Sequence, residues 1–144
     1  VKATIRLEWD MGHRLPNHGG ACRNLHGHRY VAEVTFEGDI INTPGASDEG
    51  MVTDFQDIKS IAKPLVAMLD HRFMLCDRDP LLETMHTMPG VIDVPFVPTA
   101  EAIARWLLGH LVSLDKRVTG LRLFETPTSH VDATVADLKQ EVTA

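Results

Sequence analysis

The chain has 144 residues, 44% hydrophobic and 24% charged, the balance of one globular domain (1–144) and not of a disordered chain. Twenty acidic against 14 basic residues give a formal charge of −6, which argues against a sequence-independent grip on nucleic acid, and no window reaches the 18 or so apolar residues of a membrane span. Two cysteines, Cys22 and Cys76, make no disulfide framework, and the opening VKATIRLEWD lacks the apolar segment of a secretory signal, so a reducing cytoplasm is the expected location.

Residues 4–10 alternate, with Ile5, Leu7 and Trp9 on one face and Arg6, Glu8 and Asp10 on the other, which predicts a half-buried strand. A polar stretch from Pro16 to Asn24 reads as a long loop. Alternation returns over 28–37, where Tyr30, Ala32, Val34 and Phe36 share a face. Residues 38–50 form a second loop. At Asp54, a plausible N-cap, the period changes: Phe55, Ile58, Ala62, Leu65 and Leu69 recur at helical spacing. Pro64 should kink or split this helix, because it removes a backbone donor. Residues 75–98 carry prolines at 80, 89, 95 and 98 and read as irregular. A second helix follows Thr99, and closing strands are predicted near 117–125 and 130–136. Two strands, two helices and two strands predict an α+β fold: a four-stranded antiparallel sheet with both helices on one face.

The densest chemistry lies in CRNLHGHRY (22–30). His26 and His28 are two apart, so on a strand both imidazoles share a face, and Gly27 between them obstructs nothing. His13 ends the first strand, the expected antiparallel neighbour of the second, and would complete a trio. Three imidazoles with a vacant fourth position make a catalytic zinc site, although copper, iron and nickel also accept imidazole. A lone histidine in a strand is far more often a satisfied polar residue than a ligand, so the reading rests on the three together. His18, His86 and His110 have no comparable partners and read as solvated or structural. Cys22, four residues before His26, is either a thiolate activated by a nearby cation or a small buried hydrophobe; Cys76 reads as the latter. Asp70 and His71 adjoin after the first helix, a pairing suited to acid–base work or simply to a helix end. Glu125, at a strand end, could accept from the donor edge of a guanine-like ring or be merely solvated.

Together these pieces resemble the pyruvoyl-tetrahydropterin synthase family, and within it the bacterial carboxytetrahydropterin synthases. His13 matches the first-strand zinc histidine, and Cys22-x3-His26-Gly27-His28 matches the bacterial motif, in which the gap after the cysteine is short. Gly50-Met51-Val52-x-Asp54-Phe55, Leu69-Asp70-His71, Pro98-Thr99-Ala100-Glu101 and Glu125-Thr126 match further family segments in the same order. The chain departs from the pattern in three places. It has Trp9-Asp10-Met11-Gly12-His13 where Phe-x-Ala-Ala-His is common, Ala102 in place of an asparagine, and RFMLCDRDP after the Asp-His pair.

The resemblance implies a tunnelling fold assembled as a homohexamer of two trimers, with each active site shared between subunits. It implies a zinc-dependent lyase that converts dihydroneopterin triphosphate to carboxytetrahydropterin, acetaldehyde and triphosphate, a step towards queuosine or related deazaguanines. His13, His26 and His28 would hold Zn2+. Cys22, Asp70 and His71 would be catalytic, and Glu125, Thr99 and Glu101 would bind the pterin. Arg14 and Arg23 are candidate triphosphate cations by position alone. Two other readings stand beside this one: the sister elimination giving pyruvoyl-tetrahydropterin, and a non-catalytic protein that holds zinc and pterin.

Overall fold

A computed structural model describes residues 1–139. Strand β1 (Lys2–His13) pairs antiparallel with β2 (His26–Glu37) without a break, from Lys2↔Glu37 to His13↔His26. Their inward face carries Ile5, Trp9, Met11, Tyr30, Ala32, Val34 and Phe36, all buried, as the alternation predicts. Helix α1 (Phe55–Ala67) starts where the Asp54 carboxylate accepts from the Gln56 N–H at 2.8 Å. Helix α3 (Ala100–Leu114) is capped in the same way by Thr99. Ile58, Ala62 and Leu65 of α1 and Ile103, Ala104, Leu107, Leu108 and Leu111 of α3 join the strand residues in one core, so both helices cover one face of the sheet.

The sheet is mixed and has six strands among the described residues, which corrects the expected four-stranded antiparallel arrangement. From edge to edge its strands are β4 (Val91–Val94), β3 (Arg72–Cys76), β1, β2, β5 (Val118–Thr126) and β6 (Ser129–Thr134). The two closing strands form as expected, β5 at Val118–Thr126 and β6 at Ser129–Thr134, each antiparallel to its neighbour. The additions are β3 (Arg72–Cys76) and β4 (Val91–Val94), which run parallel to β1 and to each other, with the one-turn helix α2 (Leu82–Met85) in the crossover. Met74, Leu75 and Cys76 are all buried, so β3 shows a continuous apolar run rather than alternation. That is why the stretch reads as irregular in sequence.

Helix α1 is not split at Pro64. The proline falls in the last turn, where only the Ser60 carbonyl loses its intrahelical donor, and Ser60 is exposed to water.

One buried ion pair joins the crossover to the end of β1. Arg14 donates from Nε and Nη2 to the two carboxylate oxygens of Asp79, each at 2.6 Å, and the Asp79 side chain is fully buried. Burial pushes the Asp79 carboxyl up, but the Arg14 hydrogen bonds, the Leu81 N–H and the Arg14 charge together outweigh it and hold the group below the ordinary carboxylate range. Arg14 is thereby committed to the fold, which removes it as a candidate for binding triphosphate. Asp79→Ala strands a buried guanidinium and should cost about 3–5 kcal/mol in urea unfolding. Because the native pKa is lowered, the wild-type advantage should be present above about pH 4 and shrink as pH falls through the lowered value.

Candidate active site

The site grows out of the β1–β2 register. His13 lies opposite His26, Met11 opposite His28 and Trp9 opposite Tyr30, so the three histidines and Tyr30 share the inward face. Gly27 lets the strands close here: a Cβ on it would come within 3.1 Å of the Met11 carbonyl oxygen. The imidazole centroids are 4.6, 5.1 and 5.0 Å apart, and one nitrogen from each ring lies within 4.8 Å of the other two.

The protons on these rings can be assigned from their partners. His13 Nδ1 lies 2.7 Å from the Pro98 carbonyl and His26 Nδ1 lies 2.7 Å from the Asn24 carbonyl. Each therefore carries its proton on Nδ1 and keeps an Nε2 lone pair free, the orientation that metal-binding histidines have. His28 Nε2 is buried and has no hydrogen-bond partner. An orphaned buried nitrogen of this kind costs about 1–3 kcal/mol unless something takes its lone pair. The trio could hold a metal ion, and the orphaned atom is what such an ion would satisfy.

Burial pushes both His13 and His28 below the ordinary histidine value, partly offset for His28 by the charge of Glu125. Glu125 follows Leu121 and Leu123 on the inward face of β5, and its Oε1 stands 3.6 Å from His28 Nε2. The sequence-predicted trio and Glu125 are thus brought together.

Asp70 and His71 form a second cluster. Asp70 accepts from the Asp10 N–H at 3.0 Å, and the His71 N–H donates to the Asp10 carbonyl at 2.7 Å, so the backbone of β1 clamps the pair from its edge. His71 adopts a positive φ of 60°, which turns its Nδ1 to within 3.0 Å of Asp70 Oδ2. The Asp10 hydrogen bond, with that from His71, holds the Asp70 carboxyl below its ordinary range. The Asp10 side chain points away from the trio, by strand alternation, and joins Asp70 and His71 in a group within 4.8 Å. A cavity of about 560 Å³ lies on this side, bordered by Asp10, Gly12, Arg29, His71 and Phe73, and of the trio only His28 borders it. Gly12 is required here, since the Phe73 ring occupies the space a Cβ would need.

Cys22 sits half-buried in a 3-10 turn, Ala21–Arg23, whose carbonyl at residue 22 accepts from the Leu15 N–H at 2.9 Å. Its thiol is not among the atoms gathered at the trio. Thr99 and Glu101 line a different cavity of about 690 Å³ along α3, with Phe96, Trp106 and His110. Cys76 is buried, as expected of a small hydrophobe. Sequence reasoning missed Tyr30, whose hydroxyl touches His13, and Asp10; the His-x-Tyr alternation after His28 was the available signal for the first.

The model of the family described as 6-pyruvoyl tetrahydropterin synthase matches residues 2–135. The chain belongs to that family. It is similar to curated 6-carboxy-5,6,7,8-tetrahydropterin synthases of Haemophilus influenzae (35% identical over 135 residues, 89% of this chain and 94% of that protein) and Rickettsia bellii (38% over 141 residues, 92% and 99%). Among solved structures, an uncharacterized protein of Wolinella succinogenes superposes with a TM-score of 0.75 at 25% identity, covering 94% of this chain and 99% of the other. The 6-pyruvoyl tetrahydropterin synthase of Caenorhabditis elegans shares the fold at a TM-score of 0.70 and 24% identity, covering 93% and 94%. No helix among the described residues is long and apolar enough to cross a membrane.

The lowered histidines give a testable sign. Imidazoles that stay neutral below about pH 6.5 compete less with protons for a metal. Metal release on acidification should therefore have its midpoint below that value, by chelator-free titration. The metal-free protein should lose stability as pH falls from about 6.5 towards the native values, because there the unfolded chain binds more protons.

Proposed function

We propose that the chain is a zinc-dependent 6-carboxytetrahydropterin synthase that converts dihydroneopterin triphosphate to carboxytetrahydropterin, acetaldehyde and triphosphate. The observation that carries the reading is the trio of His13, His26 and His28, with two Nδ1 protons committed to carbonyls and Glu125 on the same face. The names of the bacterial relatives support the carboxy product, and so does the short Cys22-x3-His26 spacing. Three neutral nitrogen ligands suit zinc and leave a fourth position open for substrate.

Bound there, zinc would supply a Lewis acid for the oxygens of the substrate side chain. The chain's own residues divide the remaining work. Glu125 accepts from the ring N–H donors of the pterin and fixes its orientation, while Thr99 and Glu101, assigned to the pterin by the family resemblance, lie along the separate cavity of α3. Cys22 takes and returns the proton at the side-chain carbons. His71, oriented by Asp70, serves the opposite face; the 3.0 Å contact keeps its far nitrogen free for transfer. Arg23 is the remaining candidate for the triphosphate.

In this reading the protein is a tunnelling-fold homohexamer of two trimers, acting in the cytoplasm on a step towards queuosine or a related deazaguanine. The separation of the His71 cluster from the trio within one chain supports a site completed across a subunit boundary, with Asp70 and His71 coming from the neighbour. The sister reaction, favoured by the description of the family model, uses the same residues and gives pyruvoyl-tetrahydropterin.

Incubation with dihydroneopterin triphosphate should release acetaldehyde and a carboxylated pterin by mass spectrometry; a pyruvoyl pterin would select the sister reaction, and no turnover would select a binding protein. Cys22→Ala should lose about 10²–10⁴-fold in turnover while keeping its metal. Mixed oligomers of Cys22→Ala and His71→Ala chains should regain activity through hybrid sites, and no recovery in demonstrably mixed oligomers would contradict sharing.

A further inference from the structure

Tyr30 is the only tyrosine in the chain, and it is fully buried beneath the histidine trio. Its ring stacks on Trp9 at 5.6 Å and 12° on one side and stands edge-on to His13 and His28 on the other, at 6.0 and 5.7 Å. Its hydroxyl lies 3.3 Å from His13 Nδ1 and 3.5 Å from His13 Nε2, and among the described residues these are its only hydrogen-bond partners.

Those two partners are both spoken for once the trio holds a metal. Nδ1 carries the proton donated to the Pro98 carbonyl and so cannot accept. Nε2 would give its lone pair to the ion. The phenol would then be a buried O–H with no hydrogen-bond acceptor among the described residues, a condition rarely left unrelieved. A phenol is a neutral O–H donor near neutral pH, so the hydroxyl has a proton to give. The hydroxyl also lies 3.5 Å from Nε2, the nitrogen that would face the ion, so an oxygen bound to that ion is the acceptor the phenol would be left with.

We infer that the Tyr30 hydroxyl donates a hydrogen bond to the oxygen ligand, water or substrate oxygen, bound at the open position of the His13–His26–His28 metal site. This rests on the metal reading of the trio given above. Tyr30 thereby favours oxygen ligands at that position over ligands that accept hydrogen bonds weakly. The His13 and His26 imidazoles cannot make that distinction, since their Nδ1 protons are committed to the Pro98 and Asn24 carbonyls.

The test uses the full chain loaded with Co2+, whose visible spectrum reports what binds in the fourth position. Two probes are titrated against wild type and Tyr30→Phe: acetohydroxamate, an oxygen ligand, and 2-mercaptoethanol, whose thiolate is a poor acceptor. The variant should hold one Co2+ per chain, bind acetohydroxamate about tenfold or more weakly, and bind the thiol unchanged. Equal acetohydroxamate affinity in the two proteins would overturn the inference. Equal weakening of both probes, or loss of Co2+ from the variant, would also overturn it and leave Tyr30 a packing residue. Because the tyrosine is unique, 3-fluorotyrosine labelling gives a check on the unmutated chain. Its single 19F resonance should move on adding acetohydroxamate to zinc-loaded protein and stay in place with the thiol, and an unmoved signal in both cases would contradict the hydrogen bond. Failure of wild type to take up Co2+ or Zn2+ at all would sink the metal reading itself, a result distinct from any of these.

Discussion

Register is the constraint on which everything else depends. The unbroken pairing of β1 with β2 delivers three imidazoles, a phenol and an indole to one face of the sheet. Because side chains alternate with a period of two, a slip of one residue would turn His26 and His28 to the opposite face and leave His13 alone. The pairing is held by the Trp9–Tyr30 stack directly across the strands and by the buried Ile5, Val34 and Phe36 further along. A cross-strand ion pair on the outer face, Arg29 Nη1 to Asp10 Oδ2 at 2.9 Å, fixes the same register from the exposed side, where it contributes little to stability but disfavours a shifted alignment.

The same strand serves two clusters of side chains by keeping them on different sides. On its inward face β1 contributes His13; through its backbone at residue 10 it clamps the Asp70–His71 pair at its edge. Parallel pairing with β3 is what brings the end of α1 to that edge, and the buried Arg14–Asp79 bridge then ties the following crossover back to the end of β1. Arg14 also reaches the Arg23 carbonyl at 3.5 Å, beside Cys22, so one guanidinium braces both loops that flank the histidines.

Much of this was legible in the sequence, and the exceptions have physical causes. Alternation exposed β1, β2 and β6; helical spacing and the Asp54 and Thr99 caps exposed α1 and α3. Strands β3 and β4 were hidden because a short parallel strand buried on both faces, as at Met74–Leu75–Cys76, has no polar alternation to read. The trio was legible because His-x-His fixes two rings by strand geometry alone. The partners that orient those rings, the carbonyls of Pro98 and Asn24, were not, since a backbone acceptor can come from any residue and only the fold selects it. Arg14 illustrates the opposite error: its position beside His13 suggested a ligand cation, while its true partner lies 65 residues away in a segment that sequence reading left unstructured.

X-ray absorption at the zinc edge of the purified, unmutated protein shows whether a metal sits on the three histidine nitrogens with one position left open. The expected result is one zinc per chain with a first shell of three nitrogens at about 2.0–2.1 Å and one oxygen at a similar distance, and no sulfur. A sulfur shell at about 2.3 Å, which would bring Cys22 into the coordination sphere, or a protein that takes up no zinc, would contradict it.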